Sequence, residues 1–209
     1  MIKNFADRLL EAIKTMENPS CVGLDPRIED IPDFIKEENE QKYENIKEAT
    51  ARSLFDFNKM IIDATFDIVP AFKPQVAFYE KYGSEGIKTL EDTVSYLKEK
   101  RRIVIEDAKR NDIGPTAEAY ASGHLSKTGL DVDAITVNPY LGIDGVGPFI
   151  EEAENDGKGI FVLVKTSNPS SGDFQDKILN NGKRLYEIVG QQVNQWGKET
   201  EGDEGYGIV

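Results

Sequence analysis

A chain of 209 residues with 39% hydrophobic and 30% charged content is long enough for one substantial core and reads as a soluble globular protein. Its net charge of −13 argues against a nucleic-acid partner, which selects a basic face, and its apolar runs are far too short for a membrane span. The single cysteine, Cys21, excludes an intrachain disulfide framework, and the N-terminus lacks a signal peptide's apolar core, so a cytoplasmic setting is expected.

Helical and strand-like segments alternate along the chain. Phe5, Leu9, Leu10, Ile13 and Met16 recur at helical spacing, which predicts an N-terminal helix over 2–17. Cys21 to Asp25 predicts a short buried strand ending in an acid, with the Cys21 side chain packed inside. The acidic, polar stretch 28–40 with Pro32 reads as a surface excursion, before a long amphipathic helix over 43–67. A second strand, 69–75, carries Lys73 near its end, followed by a helix over 86–100 and a third strand over 102–107. A helix over 115–128 opens on Pro115, a residue suited to a first turn, and carries the only histidine, His124. Without a Cys or His partner at ligand spacing, His124 reads as structural rather than as a zinc ligand. Strand four (134–138), a helix (146–155), strand five (159–165) and a long helix (174–197) follow, and Gly207 to Val209 reads as the start of a sixth strand.

Short strands, apolar on both faces and separated by helices, imply a parallel sheet covered by helices. Spacing alone fits a doubly wound sheet or a (β/α)8 barrel equally. The polar residues favour the barrel. Asp25, Lys73, Asp107, Lys109, Asn138 and Ser167 fall at or just past the C-terminal ends of different strands, the end where barrels assemble their chemistry. The expectation is a single TIM-barrel domain over 1–209, carried through five βα units and the start of strand six, with the N-terminal helix packed on the barrel.

The most informative run is Val104-Ile105-Glu106-Asp107-Ala108-Lys109-Arg110-Asn111-Asp112-Ile113-Gly114. Period-two alternation puts Asp107 and Lys109 on one side of a buried strand, an expensive arrangement unless the charges pair or do work. With Lys73 and Asp112 they form an alternating, self-neutral row. At about 4 Å and an effective dielectric near 20, each neighbouring pair attracts by roughly 4 kcal/mol. An ammonium held between carboxylates is a poised proton donor, suited to the creation and protonation of a carbanion. The bland reading of the same row is an ion-pair network closing the barrel top. The loop Thr166 to Gly172 reads either as a solvated turn or as a lid that hydrogen-bonds substrate.

In these residues the chain resembles orotidine 5′-phosphate decarboxylases, the long-chain bacterial and archaeal subgroup above all. The blocks that carry the resemblance are Cys21-Val22-Gly23-Leu24-Asp25-Pro26-Arg27, Phe72-Lys73-Pro74-Gln75-Val76-Ala77-Phe78-Tyr79-Glu80 and Asp107-Ala108-Lys109-Arg110-Asn111-Asp112-Ile113-Gly114. Thr136-Val137-Asn138-Pro139-Tyr140-Leu141-Gly142 and Lys165-Thr166-Ser167-Asn168-Pro169 complete the series in the family's order. The resemblance implies conversion of orotidine 5′-phosphate to UMP and CO2 in pyrimidine biosynthesis, with no metal or organic cofactor, by a (β/α)8 homodimer with shared active sites. On that analogy Lys109 protonates C6 of the pyrimidine and Asp107 sits beside the departing carboxylate. Lys73 and Asp25 hold the ribose hydroxyls, and Asp112 and Thr116 reach into the partner subunit's site. Ser167 hydrogen-bonds the pyrimidine edge, and Pro169 helps close the lid.

The family's later strands and their phosphate-gripping loop and arginine are not among these 209 residues, so the expectation is a C-terminally truncated decarboxylase. Two other readings stand beside it. Magnesium-dependent sugar-phosphate decarboxylases and aldolases share Asp-x-Lys-x-x-Asp, but end strand two in an acidic metal ligand where this chain has Lys73. A barrel fragment without the phosphate grip would be inactive.

Overall fold

The computed structural model describes residues 3–209, so Ile2 of the expected N-terminal helix lies outside the described residues. In chain order the elements are α1 (Phe5–Met16), β1 (Cys21–Leu24), α2 (Asp33–Lys42), α3 (Ile46–Thr65), β2 (Ala71–Pro74), α4 (Ala77–Glu80), α5 (Ser84–Glu99) and β3 (Ile103–Arg110). They continue with α6 (Gly114–Leu125), β4 (Ala134–Val137), α7 (Ile143–Asp156), β5 (Gly159–Val162) and α8 (Leu185–Lys198). The chain forms two compact units, one of Leu9–Ala108 and one of the residues up to Arg8 together with Lys109–Val209.

In the first unit β1, β2 and β3 lie side by side in chain order, with β1 parallel to β2 and β2 parallel to β3. Phe72 and Val104, paired across β2 and β3, are fully buried, as are Leu54, Ile62, Leu90 and Leu97 from the covering helices α3 and α5. The stretch read as a surface excursion contains most of α2, which runs on to Lys42. Its polar sequence offers little helical periodicity, but Pro32 precedes it and Ile35 packs with Ile31 against Leu54, which supplies the burial that a marginal helix needs. Cys21 is exposed, contrary to expectation. In this unit β1 is an edge strand and only Leu24 of its four residues is buried, so an apolar run did not guarantee an interior position.

A polar chain runs through this core. Asn58 of α3 donates to the Tyr79 hydroxyl at 2.8 Å, and that hydroxyl donates to the Leu24 carbonyl at 3.2 Å, where β1 gives way to Asp25. Burial pushes the Tyr79 hydroxyl pKa up strongly, so it stays protonated and able to donate.

In the second unit β4 and β5 pair in parallel, and the Asn138 amide donates to Arg110 at the end of β3 at 3.0 Å. Helices α6 and α7 cover them with Ala117, Ala121, Leu125, Val146, Phe149 and Ala153. The first turn of α1 belongs here. A Cβ at Gly159 would collide with the ring of Phe5, so glycine is what lets that ring lie against the start of β5. Asp7 accepts the amides of Asp203 and Glu204 at 2.9 and 3.0 Å, and Arg8 donates to Asp133 and to the Gly157 carbonyl, each at 2.9 Å. Residues 207–209, expected to begin a sixth strand, form no strand among the described residues, although the Ile160 amide of β5 donates to the Ile208 carbonyl at 2.7 Å. α8 begins at Leu185, well after the expected start. Residues 174–184 instead form an irregular segment in which Ile178 bridges antiparallel to Arg184 and Gly182 takes a left-handed φ of 79°.

Strand order follows chain order in each unit, with no reversal of the kind that marks a doubly wound sheet. Each of the five strands is followed by a helix, which is the βα repeat of a barrel. Among the described residues no helix is long and apolar enough to cross a membrane.

Candidate active site

Asp25 follows β1 directly, Lys73 is the third residue of β2, and Asp107 lies in the second half of β3. These three belong to the first unit. Parallel pairing of β2 with β3 carries Lys73 and Asp107 to the same end, where the Lys73 ammonium donates to Asp107 Oδ2 at 3.0 Å. The pair is unequally covered. The Asp107 side chain is 13% exposed and that of Lys73 is 35% exposed. The Asp107 carbonyl also accepts from the Val76 amide at 3.3 Å, which ties the strand to the turn before α4. Although Cys21 reaches the surface, the protein atoms around its thiol partly desolvate it and raise its pKa, against a smaller lowering by the Lys73 charge.

Lys109, Asp112, Thr116, Ser167 and Pro169 belong to the second unit. β3 runs further than expected, to Arg110, so Lys109 is a strand residue, yet its backbone is left-handed with φ 50°. A non-glycine residue in that region is strained and persists where its surroundings hold it. Here the Lys109 amide donates to Thr136 Oγ1 of β4 at 2.9 Å.

Thr136, which holds the Lys109 amide, carried no role in the sequence reading. Its only signal was its place in the block Thr136-Val137-Asn138, where strand residues normally count as packing.

Asp112 lies between β3 and α6 and accepts from the Ile113 amide at 2.8 Å. Thr116 sits in the first turn of α6, just after Pro115. Ser167 follows β5 in an exposed loop, and Pro169 opens a 3-10 turn, Pro169–Asp173. His124 is engaged by its neighbours. Arg110 Nε donates to its Nε2 at 3.4 Å, and Tyr120 stacks on its ring. Among the described residues no group of three or more His, Cys, Asp or Glu side chains is arranged to hold a metal ion.

Near the ends of β4 and β5 the second unit also holds a cavity of about 540 Å³, lined in part by Asn138, Tyr140, Thr166, Phe174, Gln175 and Tyr186. The first unit holds a strand-end ammonium–carboxylate pair, and the second holds a strained lysine and a polar loop beside a cavity; each is the kind of group that can stabilise developing charge.

Known proteins carry the same frame. The chain is 44% identical to an orotidine 5′-phosphate decarboxylase of Caldicellulosiruptor saccharolyticus over 99% of its own length and 70% of the relative's. It is 42% identical to the enzyme of that name from Clostridium novyi, over 97% of this chain and 67% of the relative. The solved structure of Leishmania donovani OMP decarboxylase superposes with a TM-score of 0.71 at 34% identity, covering 90% of this chain and 64% of that one. A Plasmodium berghei orotidine 5′-monophosphate decarboxylase matches in fold with a TM-score of 0.81 at 24% identity, covering 94% of this chain and 72% of that one. The chain spans about two thirds of the length of these relatives, and its parallel βα units follow the order of their TIM-barrel frame. Residues 19–200, which include every residue discussed above from Cys21 to Gln175, match one family model, and the chain belongs to the orotidine 5′-phosphate decarboxylase / HUMPS family.

Proposed function

We propose that this protein decarboxylates orotidine 5′-phosphate to UMP, with Lys109 as the proton donor. The reading rests on one observation above others. Lys73, at the position where the magnesium-dependent relatives would need an acidic ligand, pairs with Asp107 at 3.0 Å and so neutralises the centre without a metal. The names of the relatives favour the same branch of the family.

In the proposed reaction the bond between C6 and the substrate carboxylate breaks and CO2 leaves. The electron pair stays on C6, the Lys109 ammonium gives that carbon its proton, and the lysine regains a proton from water. Asp107, anchored by Lys73, lies beside the departing carboxylate and holds the field in which the carbanion forms. Lys73 and Asp25 hold the ribose hydroxyls, Ser167 meets the pyrimidine edge, and Pro169 takes part in closure.

The same reading makes the active unit a homodimer to which Asp112 and Thr116 contribute across the interface. Ile113, Tyr140, Leu141 and Ile143, all exposed large apolar side chains, lie close to Asp112 in sequence or on the neighbouring loop, and a second copy is the cover we assign to them. A cytoplasmic setting accords with the single cysteine.

The test is the loss of orotidine 5′-phosphate absorbance with EDTA present, for the unaltered chain and for Lys109→Ala. Turnover that survives EDTA and vanishes in the variant is expected. Metal-dependent turnover, or turnover untouched by Lys109→Ala, would overturn the reading. Mixing Asp112→Ala with Lys109→Ala subunits is expected to recover part of the activity through one intact hybrid site. Absence of recovery after demonstrated subunit exchange would rule out the shared site.

A further inference from the structure

The loop after β5 is held by one side chain reaching back across it. Gln175 Oε1 accepts from the Thr166 amide at 2.9 Å, and Gln175 Nε2 donates to the Thr166 hydroxyl at 2.7 Å. Both polar ends of the carboxamide are therefore engaged by a single residue, the one immediately before Ser167. The Thr166 hydroxyl gives its own proton to Asn168 Oδ1 at 2.6 Å, so the residues on either side of Ser167 are joined as well. A hydroxyl has one proton to give, and with that proton on Asn168 it is an acceptor toward Gln175.

Gln175 is itself fixed by the main chain. Its amide donates to the Ser171 carbonyl at 2.9 Å, and its carbonyl accepts from the Tyr186 amide at 3.0 Å. A second brace runs from Lys165 to Ser171 Oγ and to Asp176, each at 2.9 Å. That brace is exposed, and exposed ion pairs hold little. The carboxamide bonds are part-buried, where competition from water is weaker. Thr166 and Gln175 both line the cavity of about 540 Å³.

We propose that Gln175 is a positioning residue, clamping the turn 166–168 so that Ser167 is presented in one backbone geometry before substrate arrives. The proposal rests on the assignment of Ser167 to the pyrimidine edge made above. The loop is then a preformed wall of the site, not a segment ordered by the ligand. Preorganisation of this kind removes an ordering cost from binding, and its loss lowers the fraction of competent molecules and with it the apparent affinity. Glutamine suits the task because the clamp needs one acceptor and one donor on the same planar group. Alanine supplies neither.

The test compares Gln175→Ala, Thr166→Val, their double variant and Thr166→Ser. Three quantities are read: amide hydrogen exchange between Ser167 and Gly172, affinity for UMP, and KM and kcat for orotidine 5′-phosphate. In Gln175→Ala and Thr166→Val, exchange there is expected to quicken about ten-fold or more, with KM and the UMP Kd rising about ten-fold and kcat changing less. Thr166→Ser, which keeps the hydroxyl, is expected to restore slow exchange and low KM relative to Thr166→Val. The double variant is expected to be no worse than the poorer single one, because both remove the same clamp.

Slow exchange retained in Gln175→Ala overturns the proposal. So does a loosened loop with KM and Kd unchanged, which is what a merely structural role gives, and so does full additivity in the double variant. If the unaltered chain neither turns over orotidine 5′-phosphate nor binds UMP, the functional assignment falls and this role falls with it. The exchange measurement then still reports whether the clamp itself exists, which separates the two failures.

Discussion

Lys73 and Asp107 meet at 3.0 Å across the ends of two parallel strands, and the carboxylate is the more deeply covered partner. Removal of either partner leaves a charge whose environment was built around the other. Lys73→Met takes a counter-charge from the better-buried Asp107 and is expected to cost the fold about 1 to 3 kcal/mol, less than for a fully buried pair because Lys73 remains partly solvated. Asp107→Asn strands only the more exposed ammonium and is expected to cost less. Urea unfolding of both variants near neutral pH checks the order of the two effects, and each variant is expected to lose turnover at least about a hundred-fold if the pair sets the field at C6.

Thr136 takes the amide of Lys109 while Lys109 is held at φ 50°. Thr136→Val keeps the strand-favouring shape and removes the acceptor. A stability loss of about 1 kcal/mol is expected, with a fall in kcat that exceeds any rise in KM, because the misplaced group is the proton donor. Thr136→Ser restores the acceptor and is expected to recover most of the rate. Equal kcat in the valine variant and the unaltered protein would mean that the strain at Lys109 is maintained by other contacts.

Tyr79 is fully buried and joins α3 to the end of β1 through its hydroxyl. Tyr79→Phe preserves the packing and deletes two bonds, leaving one hydrogen of the Asn58 amide without its acceptor. The expected cost is about 1 to 3 kcal/mol, read as a lower urea midpoint with an unchanged slope. A neutral result would mean that water or a rotated Asn58 replaces the hydroxyl.

Asp63 on the surface of α3 accepts from Lys59 at 2.6 Å and from the Tyr96 hydroxyl at 2.5 Å, with Lys100 at 3.4 Å. The Lys59 bond, then the Tyr96 bond, hold its carboxyl down to about 2, below the roughly 3.9 of an unfolded aspartate. The folded state therefore favours the ionised form. This contribution is fully present above about pH 4 and is lost as the pH falls toward 2. Asp63→Asn is expected to lower the unfolding midpoint slightly at neutral pH, and the gap from the unaltered protein should close on acidification over that window. The effect is small because the group is solvated, and added salt should shrink it further.

Much of this molecule is legible in its sequence. The five strands and the helices on α1, α3, α5, α6 and α7 follow from apolar spacing, and the charges of Asp107 and Lys109 stand out because a strand leading out of a buried run rarely carries both. The misses have a common character. α2 is polar along most of its length and is secured by Ile35 meeting Leu54, a contact nineteen residues away in the chain. The segment 174–184 carries apolar residues at helical spacing, yet the backbone bonds at Gln175 and the bridge from Ile178 to Arg184 hold it irregular before α8. Cys21 sits in an apolar run, but the run forms an edge strand.

The amino-acid sequence by itself determined the family, the order of βα units and the kinds of charge at each strand end, because periodicity and residue chemistry are local properties. The pairing of Lys73 with Asp107, the left-handed Lys109 braced by Thr136, and the return of Gln175 onto Thr166 were decided only by the tertiary structure. Each joins residues that are not neighbours in sequence, and spacing along one chain carries no record of which group meets which. The strand carrying Asp107 and Lys109 was readable as a place where charge must do work, while the means by which each charge is held became visible only in the fold.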